Sequence, residues 1–163
     1  MTASNPAAGR NTRALKADDL ERVIAIDRIH SGRSRRHFFE KRFANAKERP
    51  NEFVQIGVVN RDVLQGFAIA RILRGEFGQK DAVAVLDAVG VDPKSGEHGL
   101  GQSLMEGLVD VSKQRGVRSV QSHVSWTSHD LLRFFNASNF KLAPRLDLER
   151  PVADLRENAD EEP

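Results

Sequence analysis

Apolar positions along this chain recur first at helical and then at strand spacing. Leu20, Val23, Ile24 and Ile26 fall on one side of a helix that Asp18 or Asp19 is placed to cap. His30-Ser31-Gly32 breaks that pattern, and Phe39, Phe43 and Ala46, at i, i+4 and i+7, predict a second helix that stops at Pro50-Asn51. Residues 12–15, ahead of both helices, suit a short strand. The period then shortens: residues 53–59 and 63–73 read as strands around a hairpin turn at Asn60-Arg61-Asp62. Residues 82–91 are β-branched and nearly uncharged, as in a central strand. A helix is predicted over 101–115, with Leu104, Leu108 and Val111 on one side and Gly116 as its stop. A strand over 117–125, a short helix over 128–137 and a last strand over 145–150 complete the pattern. The predicted order is β-α-α-β-β-β-α-β-α-β, an α/β (α+β) fold with helices on both faces of a mixed sheet.

The composition keeps this picture simple. The chain has 163 residues, 39% hydrophobic and 29% charged, which suits one globular domain with a real core. No apolar run approaches the roughly 20 residues of a membrane span, and residues 1–12 lack the apolar centre of a secretory signal. With no cysteine, disulfides, cysteine zinc sites and thiol nucleophiles are excluded, in keeping with a reducing cytoplasm. His30 and His37 have no partners at ligand spacing, so no metal is expected. Residues 1–11 read as a flexible N-terminus, 12–152 as the folded domain, and 153–163 as a flexible acidic tail with five acids against Arg156 alone. The opposite charge gathers in Arg33, Arg35, Arg36, Lys41 and Arg42. That cluster is either a solvated helix face or an anion-facing wall beside a substrate. No nucleic-acid motif accompanies it.

Chemistry concentrates between Val91 and Leu104, in the run Val91-Asp92-Pro93-Lys94-Ser95-Gly96-Glu97-His98-Gly99-Leu100-Gly101-Gln102-Ser103-Leu104. A buried strand ends, a glycine-bearing loop turns and a long helix starts. This arrangement aims unpaired N–H groups and the positive end of a helix dipole at one point, where a phosphate or pyrophosphate fits. Gly96, Glu97, His98, Gly99, Leu100, Gly101, Gln102 and Ser103 are the candidate binding residues, and Gly99 and Gly101 keep side chains out of the way. A plain glycine-rich turn is the alternative. A Walker A loop would need Gly-Lys-Ser/Thr where Gly101-Gln102-Ser103 stands, and a dinucleotide fold would place its loop after the first strand.

Val91-Asp92-Pro93 followed by Gly99-Leu100-Gly101 resembles the V-x-P and R/Q-x-x-G-x-G/A motifs of the GNAT acetyltransferases, with Gly96 where that family has Arg or Gln. His123-Val124-Ser125 and Phe140 are similar to the ends of a second family pattern, H-V-S to G-F. Within it Ser128 stands for an Asn, Phe135 for a Tyr and Asn139 for a Gly. Together the two regions make residues 12–150 resemble a GNAT domain, which implies a mostly antiparallel sheet and acetyl-CoA as co-substrate. The resemblance implies that the fourth and fifth strands splay, with Gly90 marking a bulge. Val89 and Val91 then border the pantetheine, and the Val89 N–H faces the thioester oxygen. It also brings Phe135 to the cofactor, where the family Tyr protonates the departing thiolate. This chain has no Tyr, so Ser128, Thr127, His129 or solvent is left for that step.

An amine acceptor must also lose a proton, for which a carboxylate beside the thioester is suited. Asp87 interrupts the apolar strand, and by alternation shares a face with Val89 and Val91. The resemblance places a family Glu at this position. Pairing with a neighbouring Arg is the alternative. Asp27 falls within the apolar face of the first helix, where it either binds the amine or pairs with a basic residue. Arg33 and Arg36 are candidate substrate contacts. The expected activity is acetyl transfer from acetyl-CoA to a primary amine by direct attack, the alternative being an acyl-CoA-binding module without turnover. Too few residues follow Phe140 for the two further strands usual in the family, which predicts a homodimer through the amphipathic strand at 145–150.

Overall fold

The computed structural model of the chain describes residues 11–75, 78, 80–95 and 99–152. Its elements are β1 (Asn11–Ala14), α1 (Leu20–Ser31), α2 (Arg36–Glu48), β2 (Phe53–Asn60), β3 (Val63–Leu73), β4 (Ala82–Val91), α3 (Leu100–Gln114), β5 (Val117–Gln121) and α4 (His129–Ala137). The strands lie in sequence order across one sheet, antiparallel except for the parallel β4–β5 pair. Arg61 and Asp62, both at positive φ, form the two-residue turn whose twist suits the β2–β3 hairpin. Gly32, at φ 72°, ends α1 in the left-handed conformation that a helix stop favours.

Two apolar layers hold the sheet between helices, as the expected architecture requires. On one face Val23, Ile26 and Phe39 of α1 and α2 pack on Phe67, Ile69 and Ala88. On the other, Leu100, Leu104 and Leu108 of α3 and Phe135 of α4 cover Val54, Ile56, Ala70 and Leu86. Ile26, Phe39 and Leu104 have no exposed surface, and burying each contributes about 1.5–3 kcal/mol.

One irregularity of β4 decides which side chains reach which face. Ala70 pairs with Leu86 and Ile69 with Ala88, so Asp87 is the extra residue of a bulge. The bulge resets the alternation. Leu86 packs toward α3, Asp87 and Ala88 turn to the α1–α2 side, and Val89 and Val91 return to the α3 side. The expectation that Asp87 shares a face with Val89 and Val91 is thereby corrected. So is the bulge expected at Gly90, which pairs regularly with Phe67. A Cβ at Gly90 would lie 2.9 Å from Phe67 Cε1 and 3.2 Å from Ile26 Cγ2, so this glycine makes room for the core.

The β4–β5 ladder covers only Ala82 to Val85 on β4, and β5 ends at Gln121, short of the expected 125. From Leu86 to Val91, β4 continues without a β5 partner. A second correction concerns the chain beyond α4: residues 141–152 form no strand. Pro144 offers no N–H, and the apolar side chains have no sheet edge beneath them. Leu142, Leu146, Leu148 and Val152 stand 88% exposed or more.

Candidate active site

The N-terminus of α3 is built as the sequence implies, with one change of reason. Gly99 occupies the cap position at φ 82°, which favours glycine, and no side chain among the described residues caps the helix. The Gly99 carbonyl accepts from the Ser103 N–H at 3.0 Å and from its hydroxyl at 3.1 Å. The N–H groups of Leu100, Gly101 and Gln102 precede Ser103, the first donor with an acceptor inside the helix, and, with the helix dipole, favour an anion. Leu100 offers only its backbone, since its side chain is 1% exposed in the core. Gln102 turns to Glu106 at 3.2 Å. Gly101 answers to packing: a Cβ there would lie 2.6 Å from Phe134 Cε2. Gly96, Glu97 and His98 lie outside the described residues.

Long-range contacts that no motif announces fix the end of β4 ahead of this helix. Asp92 accepts from the Lys94 N–H at 2.8 Å and pairs with Arg22 at 2.5 Å, while Arg22 Nε donates to the Leu64 carbonyl at 3.0 Å. The Lys94 N–H first, and then Arg22, hold the Asp92 carboxyl below its ordinary range against the opposing effect of burial. His30, at the end of α1, donates from Nε2 to the Val91 carbonyl at 2.6 Å. Only the chain's three-dimensional course brings these residues together; Arg22 is 70 positions from Asp92.

The other candidate acids are paired. Asp87, its side chain 8% exposed, accepts from Arg71 Nε at 2.8 and 3.0 Å, and Arg42 Nε lies 3.0 Å away. The Arg42 contact is close without being aligned as a hydrogen bond. Asp27 is held by Arg35 at 2.9 and 2.5 Å, which realises the ion-paired alternative for that residue. Arg36 points outward to Glu21 at 2.6 and 2.8 Å, while Arg33 is exposed. The basic cluster therefore splits: Arg33 and Arg36 face solvent, and Arg35 and Arg42 flank the Phe38 ring at 5.1 and 5.0 Å.

Ser128 holds the cap position of α4 without a side-chain cap bond, so its hydroxyl is uncommitted among the described residues. Phe135 is 5% exposed, with its ring against Phe134 and Phe140 at 5.4 and 4.7 Å. At the position of the family Tyr this chain thus has a core residue. Asn139, at φ 63°, takes the left-handed conformation expected of it. A concavity of about 630 Å³ over α4, lined by His129, Leu132, Arg133 and Asn136, lies away from β4. Among the described residues, no three His, Cys, Asp or Glu side chains gather as metal ligands, and no helix is long and apolar enough to cross a membrane.

The acetyltransferase (GNAT) family model matches residues 18–140. The chain belongs to the GNAT acetyltransferase family. Solved structures agree on the fold of this GNAT domain. A transcriptional regulator from Bacillus halodurans superposes with TM-score 0.71 at 21% identity, over 87% of this chain and 99% of that one. The aminoglycoside 6'-N-acetyltransferase AAC(6')-Ih from Acinetobacter baumannii gives 0.73 at 15%, over 90% and 100%. AAC(6')-Iy, solved in complex with CoA, gives 0.70 at 17%, over 88% and 95%. No curated protein matches significantly.

Proposed function

We propose that this GNAT protein is an acetyl-CoA-dependent N-acetyltransferase that acts on a primary amine by direct attack in a ternary complex. The observation that carries this reading is the end of the β4–β5 pairing at Val85, with β4 running on to Val91, beside the glycine-started helix α3. The proposed gap beyond that pairing joins an anion-binding point on one side of the sheet to a carboxylate on the other. The residues fit the co-substrate: the backbone N–H groups of Leu100, Gly101 and Gln102 suit a pyrophosphate, and Val89 and Val91 border the gap on the same side. Bound there, acetyl-CoA supplies an activated acetyl thioester. In the proposed reaction the amine nitrogen bonds to the acetyl carbon, the C–S bond breaks and the thiolate departs. The Val89 N–H is the proposed donor to the carbonyl oxygen.

Asp87 is the proposed acceptor of the amine proton, directly or through water, on the α1–α2 side of the gap. An amine of pKa about 10 is mostly an unreactive cation at neutral pH, so the step has a purpose. The leaving thiolate, with a pKa near ~8.5, takes its proton from Ser128 or from solvent. Support for a second reading, an acyl-CoA-binding module without turnover, comes from the lack of any Tyr and from the core position of Phe135.

Calorimetric titration with acetyl-CoA and CoA tests the shared part of both readings. Binding is expected in the wild type and lost in Gly99→Glu, which sets a negative charge at the helix start. Normal binding by that variant moves the phosphate site elsewhere.

The proposed setting is the cytoplasm, and the proposed assembly is a homodimer through residues 141–152. Its support is the exposed series Leu142, Leu146, Leu148 and Val152, together with a β5 that pairs only with β4 among the described residues. Light scattering with and without residues 144–163 tests this: a dimer that becomes a monomer on truncation is expected, and a full-length monomer at high micromolar concentration overturns it.

A further inference from the structure

The α1–α2 side of the β4 bulge carries more positive charge than its own acids balance. Three guanidiniums, Arg35, Arg42 and Arg71, stand there against two carboxylates, Asp27 and Asp87. Arg35 and Asp27 satisfy one another with two hydrogen bonds. The surplus therefore belongs to Arg42 and Arg71, which share Asp87. Arg71 donates through Nε alone, and the terminal nitrogens of both side chains make no hydrogen bond among the described residues. Arg42 is the more enclosed, with its side chain 20% exposed and its Nε buried without an aligned acceptor. A partly buried guanidinium with unfilled donors favours an anion, and its planar fork matches a carboxylate.

The position of this surplus is informative. Asp87 is two residues beyond Val85, the last β4 residue paired with β5, so the arginines stand where the β4–β5 pairing ends. Phe38 lies between Arg35 and Arg42, 5.0–5.1 Å from each guanidinium, and forms a flat apolar wall beside them.

We propose that the acceptor is a small α-amino acid, whose carboxylate is held by Arg42 and Arg71 while its α-amino group faces Asp87. This rests on the acetyltransferase reading and names the substrate class for it. The 3.0 Å between the Arg42 nitrogen and the Asp87 oxygen suits a molecule that carries an amine and an anion close together. An α-amino acid meets that requirement; a polyamine, an aminoglycoside or the N-terminus of a peptide does not. The incoming carboxylate takes the unfilled donors of Arg42 and Arg71, and the ammonium replaces part of the contact that Asp87 loses. Each end of the zwitterion then meets a group of opposite charge.

The test compares α-amino acids with their carboxamides and their decarboxylated amines, molecules that differ only at the anionic group. Turnover with acetyl-CoA, and calorimetric binding to the full-length protein saturated with CoA, are both measured. The expected result is a KM or Kd about tenfold or more lower for the amino acid. Arg42→Met and Arg71→Met are expected to erase that preference, and Arg42→Lys to keep part of it. Amides or decarboxylated amines that bind or react as well as the amino acids overturn the proposal, and this comparison needs only the wild-type protein. The binding arm separates two failures. Amino-acid binding without turnover rejects the enzymatic reading alone, while turnover that prefers the uncharged partners rejects the arginine assignment alone. If neither the amino acids nor their neutral partners bind, this proposal is rejected.

Discussion

Replacing Gly101 by alanine would set a methyl carbon 2.6 Å from Phe134 Cε2 and 3.5 Å from Cδ2 and Cζ of the same ring. Carbon atoms prefer about 3.5–4.0 Å, so the ring must retreat by roughly 1 Å or α4 must move with it. Overpacking of this kind costs about 1–3 kcal/mol, while alanine regains up to about 1 kcal/mol of helix propensity. The net loss is about 0–3 kcal/mol, or up to roughly 12 °C in Tm for a domain of this size. A double-mutant cycle isolates the clash from the propensity. In a Phe134→Ala background, Gly101→Ala is expected to be neutral or stabilising, with a coupling of about 1–3 kcal/mol. Urea denaturation of the four proteins measures it. Equal destabilisation in both backgrounds refutes the packing account of Gly101. CoA titration of the same four proteins adds a second reading. If Phe134→Ala restores stability to the alanine variant but not its CoA affinity, the phosphate needs Gly101 as well.

Two further expectations address individual carboxylates. Asp87→Asn should lose most turnover between pH 6 and pH 9 while CoA affinity in calorimetry stays near wild type; wild-type rates across that range would remove Asp87 as the base. Asp92 titrates below its ordinary value in the folded protein, so its contribution to stability is full above the usual carboxylate range near ~3.9 and is lost as pH falls through its lowered value. Urea midpoints from pH 2 to pH 6 should therefore fall more steeply in acid for the wild type than for Asp92→Ala; parallel curves would deny that role to the Lys94 and Arg22 contacts.

Elements whose pattern is local were legible in the sequence. The helical spacing of Val23, Ile24 and Ile26, the turn at Arg61-Asp62 and the left-handed Asn139 each follow from a few consecutive residues. The bulge was not legible, because it belongs to the pairing of two strands. Nothing in Val85-Leu86-Asp87-Ala88 announces that Ile69 and Ala70 will skip a residue there. This one skipped partner moves Asp87 to the α1–α2 side, and with it the meaning of Arg42 and Arg71. Residues 145–150 erred in the other direction: Leu146 and Leu148 alternate as in a strand, but alternation forms no strand without an adjacent edge to pair with. At the helix start the glycine loop was recognised, while the reason for Gly101 lay 33 positions later in Phe134. Arg22 and Arg71 escaped notice for the same reason. Arg35 and Arg42 stood out only as members of a basic cluster until the carboxylates they meet were brought beside them.

The central claim, acetyl transfer to an amine at the β4–β5 gap, is tested most directly by the release of free CoA thiol from acetyl-CoA. The wild type is assayed against a panel of amino acids and simple amines, with Gly99→Glu and Asp87→Asn in parallel. The account predicts amine-dependent thiol release by the wild type, with an equal amount of N-acetylated product by mass spectrometry, and little release by either variant. Tight acetyl-CoA binding with no amine-dependent release across the panel would contradict it and leave a binding module in its place.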